Sequence, residues 1–272
     1  MAITKFIPEV WSSKIITTFR QQAVFAGLVN REYEGEAKSG NTVHIPGIVD
    51  VAVKDYKAAG RITTADAITD TGVDLLIDQE KNFDFYVDDI DAAQANSRLM
   101  TPYASSAALG LVEDTDKFLA ALAVSGGTAL TPTAPTNSAT AFDALRLLRK
   151  KMDQAKVPAS DRYVVANAEF STLLLDSASK ITAADVSGST AGLREGSIGR
   201  ILGFDIYGSE NLPVTAKVQL VGFHKSAIAY ASQVEKTEAM RADNKFADRL
   251  RGLHVYGAKI VRPTAVFSYT AL

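Results

Sequence analysis

Cysteine is absent from this 272-residue chain. Without thiols the protein can form neither a disulfide nor a thiolate metal site, so we expect it to be made in a reducing cytoplasm. A basic excess is also missing, because 29 Lys and Arg residues stand against 31 Asp and Glu residues. Proteins that grip nucleic acid specifically usually show such an excess. Composition therefore argues against tight nucleic-acid recognition.

Long apolar runs are missing as well. The start, Met1 to Val10, has no basic stretch followed by an apolar one, so it does not look like a signal peptide. A long uncharged segment, Leu119 to Phe142, is interrupted by glycines and prolines and is too polar to span a bilayer. We expect a soluble, intracellular protein.

Groups that could carry catalysis are scarce. The three histidines, His44, His224 and His254, are far apart in sequence and fall in predicted strands. The acidic run around Asp88 and Asp89 lacks the turn glycine and the closing glutamate of a calcium loop. The glycine-rich stretch from 188 to 203 matches neither a phosphate loop nor a nucleophile elbow. We therefore predict no catalytic residue, no cofactor and no metal site.

The first third of the chain combines a helical and an extended pattern. Apolar residues from Trp11 to Phe19 recur at helical spacing, which predicts a short amphipathic helix. Residues alternate from Gly40 to Asp88 as in strands, with polar Lys54 to Ala67 as the tip of a long hairpin. An isolated hairpin is marginal in water. Two interpretations remain open at this point: another subunit stabilises the hairpin, or it folds back on its own core.

A long helix follows the hairpin. Thr101 before Pro102 is typical of an N-cap with proline at the first helical position. Beyond it, apolar residues recur at helical spacing over about six turns, which predicts a rod of about 30 Å. The Ser/Gly/Thr/Pro stretch from Ser125 to Ala141 is the best candidate for a domain boundary. The predicted apolar face of the helix consists of Tyr103, Ala107, Leu111, Phe118 and Leu122.

The remaining residues predict a second module of mixed helices and strands. A helix carries Phe142 to Met152, and Asn167 caps a second, short one that runs to Leu175. The helices and strands do not alternate regularly, so the pattern favours an α+β fold over a doubly wound sheet. The predicted strands span 162–166, 198–207, 218–223, 228–230, 253–261 and 265–269.

Charge is distributed unevenly along the chain. Asp70 to Asp91 contains eight acidic residues and the single base Lys81, whereas Lys236 to Arg262 carries seven bases and three acids. The hairpin tip is basic through Lys54, Lys57 and Arg61. Such segregation favours head-to-tail contacts, in which one surface of a subunit meets a different surface of the next copy. The alternative is that these charges lie on solvent-exposed faces, on which charge is often distributed unevenly.

Seven sequence blocks, in order along almost the whole chain, resemble those of tailed-bacteriophage coat proteins of the capsid gene-five type. Each block is short, but together they are specific to that family. They are IPEVWS at 7–12, LVNREYEG at 28–35, GNTVHIP at 40–46, FDFYVDDIDAAQ at 83–94, LREGSIGRILGF at 193–204, YGSENLP at 207–213 and VYGAKIVRP at 255–263.

The resemblance implies the Hong-Kong-phage fold of tailed-phage and herpesvirus shells, an α+β major capsid fold. It implies that the hairpin is an extended loop lying over a neighbouring subunit. The implied parts are an N-terminal arm (1–33), the extended loop (34–77), a peripheral domain (78–138 and 234–272) with a spine helix (101–124), and an axial domain (139–233). Assembly contacts are expected at Trp11, Lys54, Lys57, Arg61, Asp84, Asp88, Asp89, Arg194 and Glu195.

The resemblance implies a structural protein rather than an enzyme. Copies would form pentamers and hexamers of an icosahedral shell in the virion, built in the host bacterial cytoplasm with portal and scaffolding proteins. Packaged double-stranded DNA would be contacted weakly and without sequence preference. Two alternatives differ from this interpretation: an encapsulin-like compartment shell, and an α+β hydrolase whose site residues meet only in the folded chain.

Overall fold

The computed structural model describes residues 23–35, 40–47, 53–58, 60–63, 65, 72–88, 100–176, 198–242 and 245–271. Helices and strands both contribute, which confirms the α+β class. Four helices are described: α1 (Phe25–Leu28), α2 (Met100–Gly126), α3 (Ser138–Gln154) and α4 (Ala168–Leu174). The strands are β1 (Thr42–Ile45), β2 (Val73–Leu76), β3 (Gln79–Asp88), β4 (Thr128–Ala129), β5 (Arg162–Ala166), β6 (Arg200–Ile201), β7 (Phe204–Gly208), β8 (Gln219–His224), β9 (Ile228–Arg241), β10 (Ala247–Ile260) and β11 (Val266–Thr270).

A six-stranded mixed sheet, ordered β4-β11-β8-β5-β7-β6, forms the centre of the described chain. Alternate residues of β5 point to opposite faces, as the two-residue period of a strand requires. Val164 packs with α3 and α4, whereas Val165 packs with α1 and the second half of α2. The sheet includes β4 and β11 from the predicted peripheral segments beside strands of the predicted axial segment.

Capping residues and an apolar stripe explain why α3 and α4 form and pack on the Val164 face of the sheet. Asn137 forms a capping box with Thr140, which satisfies free N–H groups at the start of α3. Asn167 accepts a hydrogen bond from the Phe170 N–H and so caps α4, as the sequence predicted. The apolar stripe of α3 is buried at Leu145, Leu148 and Met152. Strand β5 spans the predicted residues 162–166.

A second sheet has three antiparallel strands in the order β3-β10-β9. Strands β9 and β10 are 14 residues long each, so the predicted strands 228–230 and 253–261 were too short. The parts of β9 and β10 that were not predicted carry charged side chains such as Lys236 and Arg251. These charges replace the alternation of apolar and polar residues by which a strand is recognised in a sequence. The pairing of β10 with both neighbours fixes their extended conformation.

The long helix α2 differs from its prediction in two respects. Met100 is already helical, so Thr101 lies inside the helix and is not its N-cap; Pro102 is in the first turn, where proline is tolerated. The predicted apolar face is also displaced, because Tyr103 is 55% exposed. The buried side chains are instead Thr115, Asp116, Leu119, Ala120 and Ala123. No described helix is long and apolar enough to cross a membrane.

Two predicted segments are divided differently in the structure. The predicted strand 198–207 is a hairpin, in which β6 and β7 flank a two-residue turn at Leu202 and Gly203. Both turn residues have positive φ, 52° and 86°, as tight hairpin turns require. The predicted boundary 125–141 overlaps the ends of α2 and α3 and contains β4, which pairs with β11.

Candidate assembly surfaces

Five of the nine predicted contact residues are described: Lys54, Lys57, Arg61, Asp84 and Asp88. The first three lie in the segment 53–63 between β1 and β2. The other two lie on β3. The remaining four, Trp11, Asp89, Arg194 and Glu195, lie outside the described residues.

The base of the long hairpin folds onto its own chain. Strands β1 and β2 pair in an antiparallel register, with His44 opposite Asp74 and their side chains 2.6 Å apart. The buried face of the pair packs on β9. A Cβ added at Gly257 would lie only 2.0 Å from the Leu76 carbonyl oxygen. Glycine therefore allows the backbones of β10 and β2 to approach each other closely. The buried cluster is Val43, Ile45, Leu75, Ile77, Ala229 and Ala231.

The segment beyond that base contains a capped turn. Oδ1 of Asp55 accepts hydrogen bonds from the N–H groups of Lys57 and Ala58, at 2.9 and 3.2 Å. The Arg61 N–H donates to the Tyr56 carbonyl and the Gly60 N–H to the Lys57 carbonyl. This pair of bonds, with Gly60 at φ 68°, is the pattern that closes helix C-termini. Hydrogen bonds within a single chain therefore form the turn in the described residues of the basic tip.

The same tip exposes apolar side chains. Val53 is fully exposed, Ile62 is 72% exposed and Tyr56 is 55% exposed. Single exposed apolar residues are ordinary, but a cluster of them beside bases is typical of a contact surface. The base of the hairpin therefore packs on its own core, while its described tip leaves apolar surface uncovered. Stabilisation of the tip by another subunit stays a prediction.

The acidic strand β3 already has a partner in its own chain. Oδ1 of Asp84 accepts a hydrogen bond from Nε of Arg249 at 2.8 Å, and Oδ2 pairs with the same guanidinium. This bonding holds the pKa of Asp84 below its ordinary value. Arg251 binds Glu238 across to β9, with Nε 2.9 Å from Oε2. The outer face of the three-stranded sheet is therefore a ladder of ion pairs, and Asp84 is not an isolated acidic group.

The first half of α2 remains largely uncovered. No described side chain between Pro102 and Asp114 is buried, and Leu109 and Val112 are 51% and 44% exposed. A groove of about 340 Å³ lies between this half of α2 and β10, lined in part by Val112 and Leu253. An amphipathic helix normally buries its apolar stripe. The first half of α2 departs from this rule, because its apolar side chains stay exposed within the single chain.

Each of the three histidines contacts polar partners of its own chain. His44 faces Asp74, His224 faces Ser226, and His254 is buried between the hydroxyls of Thr115 and Tyr230. Burial lowers the pKa of His224. Among the described residues, no group of three His, Asp or Glu side chains could hold a metal ion.

Sequence inspection did not identify Asp116 as a residue of the core. Asp116 is fully buried and accepts a hydrogen bond from the side chain of Asn211 at 2.8 Å. It also accepts hydrogen bonds from N–H groups at the start of α1. The available signal was its position beside Leu119 and Ala120, on the face of α2 that packs against the sheet.

Comparison with known proteins identifies the family of this chain. Residues 73–269 match the model of a family described as phage capsid protein. That match covers more than half of the chain. The chain belongs to the phage capsid protein family. As a major capsid protein it assembles with further copies into the icosahedral shell and is part of the virion.

Solved structures agree with this membership. The capsid protein is 53% identical to a chain of Mycobacterium phage Che8, with 98% of each chain covered and a TM-score of 0.92. It also shares its fold with the capsid of Cyanophage P-SCSP1u at 18% identity, covering 100% of this chain and 95% of that one (TM-score 0.83). A virus-like particle from Pyrococcus furiosus shares the fold at 13% identity, with 85% and 86% covered and a TM-score of 0.55. None of the curated proteins matches the chain.

Proposed function

We propose that this capsid protein forms pentamers and hexamers that enclose the double-stranded DNA of a tailed phage, and that its role is structural without catalysis. The observation that supports this contact mechanism is the tip of the hairpin, described at 53–58 and 60–63, whose bases lie beside apolar side chains that its own chain leaves exposed. Heterologous contacts of such a tip with a different surface of the next copy can close a ring.

The acidic region around β3 is the proposed partner of the tip. Lys54, Lys57 and Arg61 would approach the acids of 70–91 in a neighbouring subunit. Because Asp84 is bonded to Arg249 of its own chain, exposed Asp78 and Glu80 are the better candidates for new ion pairs. Val53 and Ile62 would lose their exposed surface in the same contact, at about 25 cal/mol per Å² of apolar area.

Partners other than the capsid protein itself belong to this proposal. A closed head requires a portal for DNA entry, and a scaffolding protein would guide curvature during assembly. The chain carries a formal net charge of −2. We therefore propose only weak, sequence-independent contact with the packaged DNA, which salt would weaken further.

Charge reversal of the tip tests the contact. The triple variant K54E/K57E/R61E should fold normally but yield few closed shells by electron microscopy. A matched triple, K150E/K151E/K156E, reverses three exposed bases on and just after α3 and changes net charge by the same amount. It should assemble like the unchanged protein.

A second pair of reversals tests the partner surface. Adding D78K/E80K to the tip variant should restore part of the shell yield, since opposite charges would again face each other across the contact. Wild-type yield from the tip variant alone would refute the proposed contact, as would equal loss in both triples.

A further inference from the structure

Asp116 is a carboxylate without a cationic partner at the centre of the described chain. Its Oδ1 accepts hydrogen bonds from the N–H groups of Val24, Phe25 and Ala26, at 2.9, 2.7 and 3.4 Å. Its Oδ2 accepts one from Nδ2 of Asn211, at 2.8 Å. Four donors from two other segments therefore converge on one side chain of α2.

These contacts join segments that are far apart in the sequence. Asp116 lies 90 to 92 residues from 24–26 and 95 from Asn211. The segments that Asp116 joins also share an apolar core cluster, in which Phe25 stacks on Phe223 with ring centroids 5.8 Å apart and Leu119 is fully buried. In the part of the chain that is described, Asp116 is the polar anchor that fixes the start of α1.

The neighbouring charged groups are engaged elsewhere. On α2, Glu113 pairs with Lys117, and Asp114 accepts from the Tyr256 hydroxyl. In the loop after β7, Glu210 accepts from the Ala168 N–H. Helix α1 has no charged residue. No described ion pair includes Asp116, so hydrogen bonds alone compensate its charge.

We propose that the Asp116 carboxyl group is a latch for residues 24–26, and that binding of a proton tightens the latch. A protonated carboxyl keeps Oδ1 as acceptor for the three N–H groups. Its new O–H can donate to Asn211 once that amide turns its oxygen towards it. All four contacts persist, and the buried charge disappears.

The acid–base behaviour of the group has the required direction. Burial raises the pKa of Asp116, although the hydrogen bonds from Asn211 and the backbone oppose the rise. In the open state, residues 24–26 are detached from Asp116 and its carboxyl group has an ordinary pKa. Because the pKa is higher in the latched state, the carboxyl group binds its proton more tightly there. The latch therefore closes more firmly as pH falls and loosens as pH rises through that pKa. This inference concerns a single chain and does not rest on the proposed shell contacts.

Hydrogen exchange on the unassembled full-length chain tests the latch. After correction for the intrinsic pH dependence of exchange, protection of the Val24, Phe25 and Ala26 amides should rise as pH falls from neutrality through the raised pKa of Asp116 towards the ordinary pKa of an aspartate. One linked proton limits the change to about tenfold per pH unit. D116N mimics the protonated group, so its protection should be independent of pH and at least equal to that of the unchanged protein at pH 8.

Two further variants make the result specific. D114N alters the adjacent carboxylate that binds Tyr256, so it should retain the pH dependence at 24–26. D116A removes the acceptor and should abolish protection at these amides. A wild-type profile without pH dependence, or the same dependence in D116N, would overturn the inference.

Discussion

The hydroxyl of Tyr256 on β10 donates a hydrogen bond to Oδ2 of Asp114 on α2, across 2.9 Å. The tyrosine ring is fully buried, and burial raises the pKa of Tyr256, so the hydroxyl remains a donor at neutral pH. Lys81 on β3 approaches the same carboxylate at 3.7 Å. One acidic side chain thus connects the long helix to two strands of the three-stranded sheet.

Removing that hydroxyl should weaken the attachment of α2 to the sheet. Y256F keeps the ring and should lower the free energy of unfolding by about 1 kcal/mol, because Asp114 is partly exposed and water replaces the lost donor. Y103F is the matched control, since Tyr103 is 55% exposed. Urea unfolding of both variants measures the difference. Equal stability of Y256F and the unchanged protein would contradict the assigned role.

A second prediction concerns the close approach of β10 to the hairpin base. In G257A the new Cβ would meet backbone atoms of Leu76 and Ile77 at 2.0 and 2.8 Å, which no rotamer change can relieve. Overpacking of this kind costs about 1–3 kcal/mol or more. G208A has open space at its Cβ position and should be nearly neutral.

Thermal unfolding of the two glycine variants checks the stability difference, and electron microscopy checks its consequence. We expect G257A to displace the hairpin base and reduce the number of closed shells. A G257A protein as stable as G208A would show that β2 does not lie against β10 as the structure describes.

The ion pairs between β3, β10 and β9 predict that the stability of the folded chain depends on pH. Lys236 and Arg251 lower the pKa of Glu238 to about 2. A carboxylate with a lowered pKa stabilises the folded chain above its ordinary pKa, and this contribution is lost as pH falls through the folded value. The stability difference between the unchanged protein and E238Q should therefore be constant near neutrality, shrink below about pH 4.5 and vanish near pH 2.

Unfolding midpoints in urea at several pH values measure this difference. E80Q serves as the control, because Glu80 is an exposed carboxylate on β3, the opposite edge strand of the same sheet. A difference for E238Q that stays constant down to pH 2, or an identical profile for E80Q, would refute the assignment.

Sequence reasoning succeeded where the signal is local. Asn167 and the apolar stripe of α3 could be read directly, because capping and helical spacing act over a few residues. The extended halves of β9 and β10 could not, since Glu238 and Arg251 are stabilised by partners on other strands. The buried face of α2 was predicted wrongly because Asp116, a charged residue, occupies a core position. The hydrogen-bond donors that make this possible lie in segments far from α2 in the sequence.

The contact surfaces were predictable only in part. Three bases identified the tip of the hairpin, and the structure adds its capped turn through Asp55 and Gly60. The in-chain bond between Asp84 and Arg249 could not be inferred, because it depends on the register of β3 against β10. The assignment of Lys54, Lys57 and Arg61 to a neighbour's acids stays a prediction.

Electron microscopy of the purified full-length protein, combined with size-exclusion chromatography, tests the central claim most directly. We expect closed icosahedral shells, or pentamer and hexamer rings that close when the scaffolding protein of the same phage is added. A monomer that forms no particle under either condition would contradict the account of this chain as a shell-forming capsid protein.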